Sequence, residues 1–180
     1  MQTNTVKHVL VAAFLLALAC SACKKDEPVT EPETITTVVV HLKSADGTFD
    51  EEFTWDDRDG DGGIAPVIDE ILLSPNKMYT CQVHFYDRSK TPEKDITEEV
   101  EEENTDHLLV YGITGANLTI AAADTDDNGK PFRLLTAWAS GAASSGTVMV
   151  VLRHEPDKDA ANPDVTGEVD AEVVFPVKIQ

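Results

Sequence analysis

Cysteine, aromatic residues and basic residues are all scarce in this sequence. Its 180 residues include 3 cysteines and 6% aromatic residues, and 14 lysines and arginines stand against 33 aspartates and glutamates. The formal net charge is −19. A nucleic-acid-binding surface needs basic residues to neutralise phosphates, so this composition argues against a nucleic-acid partner. An acidic surface instead favours solubility and attracts cations.

Long apolar runs are scarce as well. The longest run occupies residues 9–19, whereas a membrane-spanning helix needs about twenty apolar residues. Lys7 and His8 precede this run, and the small residues of ACSAC (19–23) follow it. A basic start, a short apolar run and small residues are typical of a secretory signal peptide.

The segment LACSACKKDEP (18–28) resembles the lipobox of bacterial lipoproteins, in which the signal is cut before a cysteine that is then acylated. Ser21 and Ala22 suit the positions before the cut, so Cys23 is favoured as the lipidated residue, with Cys20 as the alternative. The lysines and acids of KKDE (24–27) resemble the export tag of Bacteroidota lipoproteins. The resemblance implies a signal peptide at 1–22 and a lipid anchor on Cys23.

This resemblance also implies a location and a class of partner. Acyl chains would anchor the mature chain to the outer membrane without spanning it, and the export tag favours the cell-surface face. Small lipoproteins of this kind are often encoded beside TonB-dependent outer-membrane receptors, so such a receptor is the implied partner. Residues 23–34 carry mixed charges and two prolines, which predicts a tether. Residues 35–180 have the length of one domain.

Most of that domain alternates apolar and polar residues. EVDAEVVFPVKI (168–179) places Val169, Ala171 and Val173 on one face, with Glu168 and Asp170 on the other. Turn residues separate such segments every eight to twelve residues or so, which predicts an all-β, immunoglobulin-like β-sandwich of about seven to nine antiparallel strands. TPEKDITEEVEEENTD (91–106) breaks the alternation and predicts a short acidic helix or loop.

Two acidic loops fit the first half of a calcium-binding loop. The candidate ligands are Asp57, Asp59 and Asp61 in the first loop, and Asp124, Asp126 and Asn128 in the second. An EF-hand is excluded because loop position 12 is Ile68 or Leu135 instead of glutamate. The pattern therefore predicts Ca²⁺ on a β scaffold, with a dissociation constant on the order of 10⁻⁴ M. The alternative for each loop is an ordinary solvated turn, which Asn-Gly favours in the second.

Histidines suggest a different metal site. His107 in TDH and His154 in RHEPDKD both stand beside carboxylates, and together with an acid they could hold Zn²⁺ or Cu²⁺. No H-x-H or H-x-x-x-H spacing supports this site, so ordinary surface histidines are the alternative.

Catalytic motifs are missing from the sequence. It has no G-x-S-x-G motif, no phosphate-binding loop and no cysteine–histidine signature, and Cys81 lies in the alternating segment MYTCQVHFY (78–86), which predicts an inert core thiol. We therefore expect a non-enzymatic, lipid-anchored binding module, accessory to TonB-dependent uptake and stabilised by calcium. The alternatives are a Zn²⁺- or Cu²⁺-binding lipoprotein in metal acquisition, and an adhesive or structural cell-surface domain.

Overall fold

The computed structural model describes residues 34–60 and 62–180. The signal peptide, Cys23, all but the last residue of the tether and Asp61 lie outside the described residues. The strands follow in chain order: β1 (Thr37–Ser44), β2 (Asp50–Asp56), β3 (Val67–Ile68), β4 (Ile71–Leu73), β5 (Met78–Asp87), β6 (Lys94–Asp95), β7 (His107–Thr114), β8 (Leu118–Ala122), β9 (Leu135–Ser140), β10 (Ser144–His154) and β11 (Glu168–Ile179). Helix α1 (Thr97–Glu102) precedes β7, and a 3₁₀ helix (Pro163–Val165) precedes β11.

These strands form two sheets. The first has the order β3-β2-β1-β5-β9-β8, with β6 also paired to β5, and the second has the order β4-β11-β10-β7. The prediction of an immunoglobulin-like β-sandwich is confirmed. All named pairs are antiparallel except β4 with β11, which run parallel.

The described residues contain more strands than predicted, for two reasons. VIDEILL (67–73), whose length and apolar residues favour one strand, divides into β3 in the first sheet and β4 in the second. A short strand, β6, also forms just before α1, within the segment predicted as a helix or loop. The alternation of apolar and polar residues predicts neither the division of VIDEILL nor the formation of β6. Each depends on which strand of the fold pairs with the segment.

The core lies between the two sheets. This core includes alternate residues of β1, Val38, Val40 and Leu42, and alternate residues of β10, Val148, Val150 and Leu152. Thr37 and Val39 of β1 are buried as well. Each large apolar side chain contributes roughly 1.5–3 kcal/mol when it leaves water. Because the described part of the chain has a single, buried cysteine, apolar packing holds the sheets together without a disulfide.

Strand β11 departs from the predicted alternation at one point. Ala171 pairs with Leu152, but Val169 pairs with Arg153, so Asp170 is an extra residue in this strand. Such a β-bulge changes the direction of the side chains on the bulged strand. Val169, which was predicted to share a face with Ala171 and Val173, is 48% exposed, whereas Val173 is 3% exposed. That prediction is wrong for Val169.

Candidate metal centre

Three strands of the second sheet bring His107, His154 and Asp170 together. His107 Nε2 lies 3.7 Å from Asp170 Oδ2, and His154 Nδ1 lies 3.4 Å from the same oxygen. One ligand atom from each residue lies within 4.8 Å of the other two. Zinc bonds to nitrogen and oxygen are about 2.0–2.2 Å long, so ligands of one ion stand about 3–4 Å apart. The two nitrogen–oxygen distances of the cluster, 3.7 Å and 3.4 Å, fall in this range.

The pairing of β7 with β10 places the two histidines side by side. His107 and His154 are direct partners in this antiparallel ladder, so their side chains project from the same face of the sheet. Their ring centroids are 4.9 Å apart, and the rings cross at 80°. In this edge-to-face arrangement one nitrogen of each ring faces the same carboxylate.

The β-bulge supplies the third residue of the cluster. In a regular β11, Asp170 would oppose Arg153 and project to the other side from His154. Because the register shifts between Leu152 and Arg153, the aspartate is displaced from that alternation and its carboxylate faces the two rings. The side chain of Asp170 is only 11% exposed.

A contact with a backbone carbonyl sets the tautomer of His107. Its side chain is fully buried, and its Nδ1 lies 3.1 Å from the carbonyl oxygen of Glu103. Because a carbonyl can only accept, Nδ1 carries the proton, and Nε2 presents its lone pair toward Asp170. Burial also lowers the pKa of His107 and the nearby His154 acts in the same direction, although the Glu103 carbonyl opposes them. The net direction is a lowered pKa, which favours the neutral ring.

The segment before β7 fixes that carbonyl in place. Helix α1 is anchored to β5, because Phe85 N–H donates to Thr97 Oγ1 (2.9 Å) and Val100 is fully buried. The chain leaves the helix at Glu103 and reaches His107 within one turn, where Asp106 N–H donates to the Glu103 carbonyl (2.9 Å). The orientation of the His107 ring is thus set by packed backbone.

Two atoms of the cluster have no hydrogen-bond partner. Among the described residues, the buried side-chain atoms in this state are Asp57 Oδ1, His107 Nε2, Arg153 Nε and Asp170 Oδ2. An unpaired buried polar group costs about 1–3 kcal/mol. A lone pair on His107 and a carboxylate oxygen on Asp170 cannot satisfy each other, since both are acceptors. A bound cation would satisfy both.

A cavity of about 440 Å³ adjoins Asp170. Its wall on one side is β11, and on the other it is the chain before β1 and the end of β2, with these lining residues: Thr34, Ile35, Thr36, Trp55, Asp57, Gly60, Asp170, Ala171, Glu172 and Val173. Asp57 and Gly60 of the first acidic loop and Asp170 of the cluster therefore line the same cavity. This proximity was not predicted.

The first acidic loop directs its described carboxylates to different places. Asp59 Oδ2 accepts from Ile64 N–H (2.8 Å) within the loop, whereas Asp57 lines the cavity. Asp61 lies outside the described residues. A calcium site formed by Asp57, Asp59 and Asp61 stays a prediction.

In the second acidic loop the carboxylates already accept hydrogen bonds. Asp124 accepts from the backbone N–H groups of Arg133 (2.5 Å) and Leu135 (2.6 Å). Asp126 accepts from the N–H groups of Asn128 (2.9 Å) and Lys130 (2.8 Å), and from Lys158 Nζ (2.8 Å). These bonds are those of a closed turn. Calcium at Asp124, Asp126 and Asn128 would have to replace them, and it too stays a prediction.

The remaining histidines and the cysteine lie elsewhere. His41 Nε2 is 2.6 Å from Asp50 Oδ1, and its ring is 6.2 Å from that of His84, both on the first sheet. Among the described residues, the His107, His154 and Asp170 group is the one that places three candidate ligands within 4.8 Å. Cys81 is fully buried, and burial raises the pKa of its thiol to about 12.

Comparisons with protein-family models, with curated proteins and with solved structures find no match to this chain. Among the described residues, no helix is both long enough and apolar enough to cross a membrane. The chemistry of the His107, His154 and Asp170 cluster therefore carries the functional conclusion. Of its three residues, Asp170 was missed, because strict alternation places it on the opposite face and no residue in the sequence marks the bulge.

Proposed function

We propose that this protein binds a divalent transition-metal ion, Zn²⁺ or Cu²⁺, through His107, His154 and Asp170, and that it acts in metal acquisition. The observation that carries the proposal is the meeting of three ligand atoms, two of them buried without a hydrogen-bond partner. Two acceptors face each other across less than 4 Å, an arrangement that a shared cation stabilises.

The types of ligand select the class of metal. Imidazole nitrogens suit Zn²⁺, Cu²⁺, Fe²⁺ and Ni²⁺, whereas Ca²⁺ and Mg²⁺ prefer oxygen ligands alone. A site with two nitrogens and one oxygen therefore disfavours calcium. Zn²⁺ and Cu²⁺ stand near the top of the general affinity order for such ligands.

The number of ligands suggests a site that exchanges its metal. Structural zinc sites are closed by four protein ligands, whereas three protein ligands leave a position open. The side chain of His154 is 28% exposed, so an ion can approach from solvent. An open, partly accessible site suits capture and transfer of a metal better than permanent structural use, and binding alone is proposed, without catalysis.

The N-terminal residues support the proposed location. The lipobox-like LACSACKK and the acids that follow support a lipid anchor on Cys23 at the cell-surface face of the outer membrane. A TonB-dependent receptor is the proposed recipient of the metal. Loss of radioactive palmitate incorporation in a Cys23→Ser chain, with retention in a Cys20→Ser chain, is the result expected for the anchor.

Equilibrium dialysis tests the metal site. The chain to use carries Cys20→Ser and Cys23→Ser, because free thiols there would bind metal themselves. We expect one Zn²⁺ or Cu²⁺ per chain at neutral pH. At a free metal concentration 100 times the dissociation constant, binding should stabilise the fold by about 2.7 kcal/mol, measured as a rise in Tm.

Two pairs of substitutions make this test specific. His154→Ala and Asp170→Asn should each abolish the stoichiometric binding, because each removes a ligand. His41→Ala combined with His84→Ala removes two histidines from the first sheet and should leave binding intact. Equal metal binding by both sets of variants would overturn the proposal, and circular dichroism shows whether each variant is folded.

A further inference from the structure

Strand β8 is an open edge of the first sheet, because it pairs with β9 on one side and stands last in the strand order. Directly after β8, Ala123 N–H donates to the carbonyl of Leu135 on β9 (3.0 Å). Backbone groups alternate in direction along an antiparallel strand. Those of Ile120 and Ala122 therefore point away from β9, to a side where no described strand pairs with them.

This edge lacks the features that usually protect one. Natural proteins protect sheet edges with charged residues, prolines, bulges or very short strands. The sequence of β8, LTIAA, has no charge and no proline, and its register with β9 is unbroken. Among the other described edge strands, β3 and β6 have two residues and β4 has three. The outer side of β7 is covered where Leu109 N–H donates to the carbonyl of Phe132 (3.0 Å).

A cavity of about 340 Å³ lies between β8 and β7 at this edge. Ile120 and Ala122 line it from β8, and Tyr111 and Ile113 line it from β7. A strand added beside β8 would project alternate side chains from the same face as Ile120 and Ala122, toward this cavity. An apolar cavity of about 150 Å³ holds a benzene molecule, so aliphatic side chains fit here.

Charge selects the kind of partner. In the loop after β8, Asp127 is exposed and makes no ion pair with the described residues. Nearby Lys130 and Arg133 are already paired, with Asp159 and Asp164 respectively. The whole chain carries a net charge of −19. A second copy of this chain is therefore repelled, whereas a basic segment is attracted.

We propose that β8 is a docking edge for an extended, basic segment of a partner protein, which joins the first sheet as a further strand. Its backbone exchanges hydrogen bonds with Ile120 and Ala122, its aliphatic side chains enter the cavity between β7 and β8, and its basic residues lie near Asp127. In this mode of recognition, main-chain hydrogen bonds give affinity and side-chain pockets give specificity. The inference is independent of the proposed metal function, since no residue of that cluster lies on β8 or lines this cavity.

A synthetic peptide serves as the probe. It alternates valine and threonine between a pair of lysines at each end, and both of its termini are capped. Calorimetry measures its binding to the full chain carrying Cys20→Ser and Cys23→Ser, at an ionic strength of about 0.15 M, where charges are screened beyond about 8 Å. One control peptide has glutamates in place of the lysines, and another has proline in place of the central valine, which removes a backbone N–H. We expect the lysine peptide to bind at least tenfold more tightly than either control.

Amide hydrogen exchange, followed by NMR, locates the bound peptide. The N–H groups of Ile120 and Ala122 should exchange at least tenfold more slowly in the complex, because they gain hydrogen-bond partners. Ala123 N–H, which already donates to Leu135, should change little. Peptide binding that leaves the exchange of Ile120 and Ala122 unchanged would overturn the proposal.

Ala122→Pro and Ala121→Ser form a matched pair on β8. Ala122→Pro removes an outward N–H at an edge position, where proline is tolerated, and should abolish peptide binding. Ala121→Ser alters a side chain on the face away from the cavity and should leave binding intact. Circular dichroism shows whether each variant is folded, and the exchange of Ile120 and Ala122 in the parent decides if Ala122→Pro is not.

Three outcomes would contradict the docking edge. Equal binding of the lysine peptide by the two folded variants would show that the outward N–H of Ala122 has no role. Equal binding of all three peptides by the parent would show that neither charge nor an extended backbone is recognised. Slow exchange at Ile120 and Ala122 that accompanies self-association in sedimentation would mean that a second copy, instead of a basic partner, occupies the edge.

Discussion

At the scale of single residues, the contact between Asp126 and Lys158 shows what the second acidic loop does in this fold. Lys158 Nζ lies 2.8 Å from Asp126 Oδ2, and the two side chains are 8% and 1% exposed. The lysine also donates to the carbonyl of Asn104 (2.7 Å). The motif that predicted a calcium ligand thus contains a buried ion pair that ties the loop to the chain after β10.

Replacing Asp126 by alanine should destabilise the protein by about 3–5 kcal/mol, because it leaves the charge of Lys158 buried without its partner. Urea unfolding measures the loss. Asp159→Ala is the control, since Asp159 pairs with Lys130 in an exposed position and such pairs contribute about 0–1 kcal/mol. Equal effects of the two substitutions would show that the burial of this pair is unimportant.

The pair of Asp126 and Lys158 also makes the stability of the fold depend on pH. Burial opposes ionisation of Asp126, but hydrogen bonds from Lys158, Lys130 and Asn128 prevail and lower the pKa of Asp126. A lowered carboxyl pKa stabilises the fold above the unfolded-state value of about 3.9, and that contribution is lost as the pH falls through the folded-state value. In Asp126→Asn this part of the acid dependence should be missing from unfolding curves measured below pH 5 or so.

At the scale of elements, the pairing of β7 with β10 depends on close approach of backbone. A side chain at Gly146 would meet the carbonyl oxygen of Thr114 and the backbone N of Ala116, neither of which can turn aside. At Gly112, by contrast, an added Cβ would lie 3.0 Å from the end of the flexible Met149 side chain. Both glycines belong to the sheet that carries His107, His154 and Asp170.

Gly146→Ala should therefore cost about 1–3 kcal/mol or more in the free energy of unfolding, as overpacking against rigid groups does. Gly112→Ala should cost less than about 1 kcal/mol, because Met149 can change rotamer. Denaturant titration of the two variants gives the comparison. A Gly146→Ala protein as stable as the parent would mean that the turn at 114–116 can move away.

At the scale of the whole molecule, the excess of acidic groups opposes the compact state. The net charge of −19 is spread over 180 residues, and a compact chain brings these charges closer together than an unfolded one. Glu98 and Glu102 illustrate this on the exposed side of α1, where like charges one turn apart destabilise a helix.

Salt should consequently stabilise this protein. Raising sodium chloride from about 0.01 M to about 0.1 M shortens the Debye length from about 30 Å to about 10 Å, and we expect Tm to rise by about 2 °C or more. Glu98→Gln combined with Glu102→Gln should reduce that rise, because fewer repulsions remain to be screened. A fall in Tm with salt would mean that attractive ion pairs outweigh the repulsion.

The fold class was predictable from the sequence because period-two alternation is a local property of an extended chain. Successive side chains of a strand point to opposite faces of the sheet. Val38, Val40 and Leu42 of β1 therefore all face the core. Composition likewise determined the acidity of the surface, and the absence of a cysteine pair determined that packing alone holds the sheets. His107 and His154 were named as candidate ligands because each stands beside carboxylates in the sequence.

Tertiary structure decided what those residues contact. Pairing of β7 with β10 brought His107 against His154, and the bulge in β11 turned Asp170 toward them, although alternation alone pointed it away. In the second acidic loop, the carboxylate of Asp124 accepts hydrogen bonds from Arg133 N–H and Leu135 N–H, and that of Asp126 accepts one from Lys158 Nζ. Which strands pair, in which register, depends on contacts between residues far apart in the chain, and a local pattern carries no information about them.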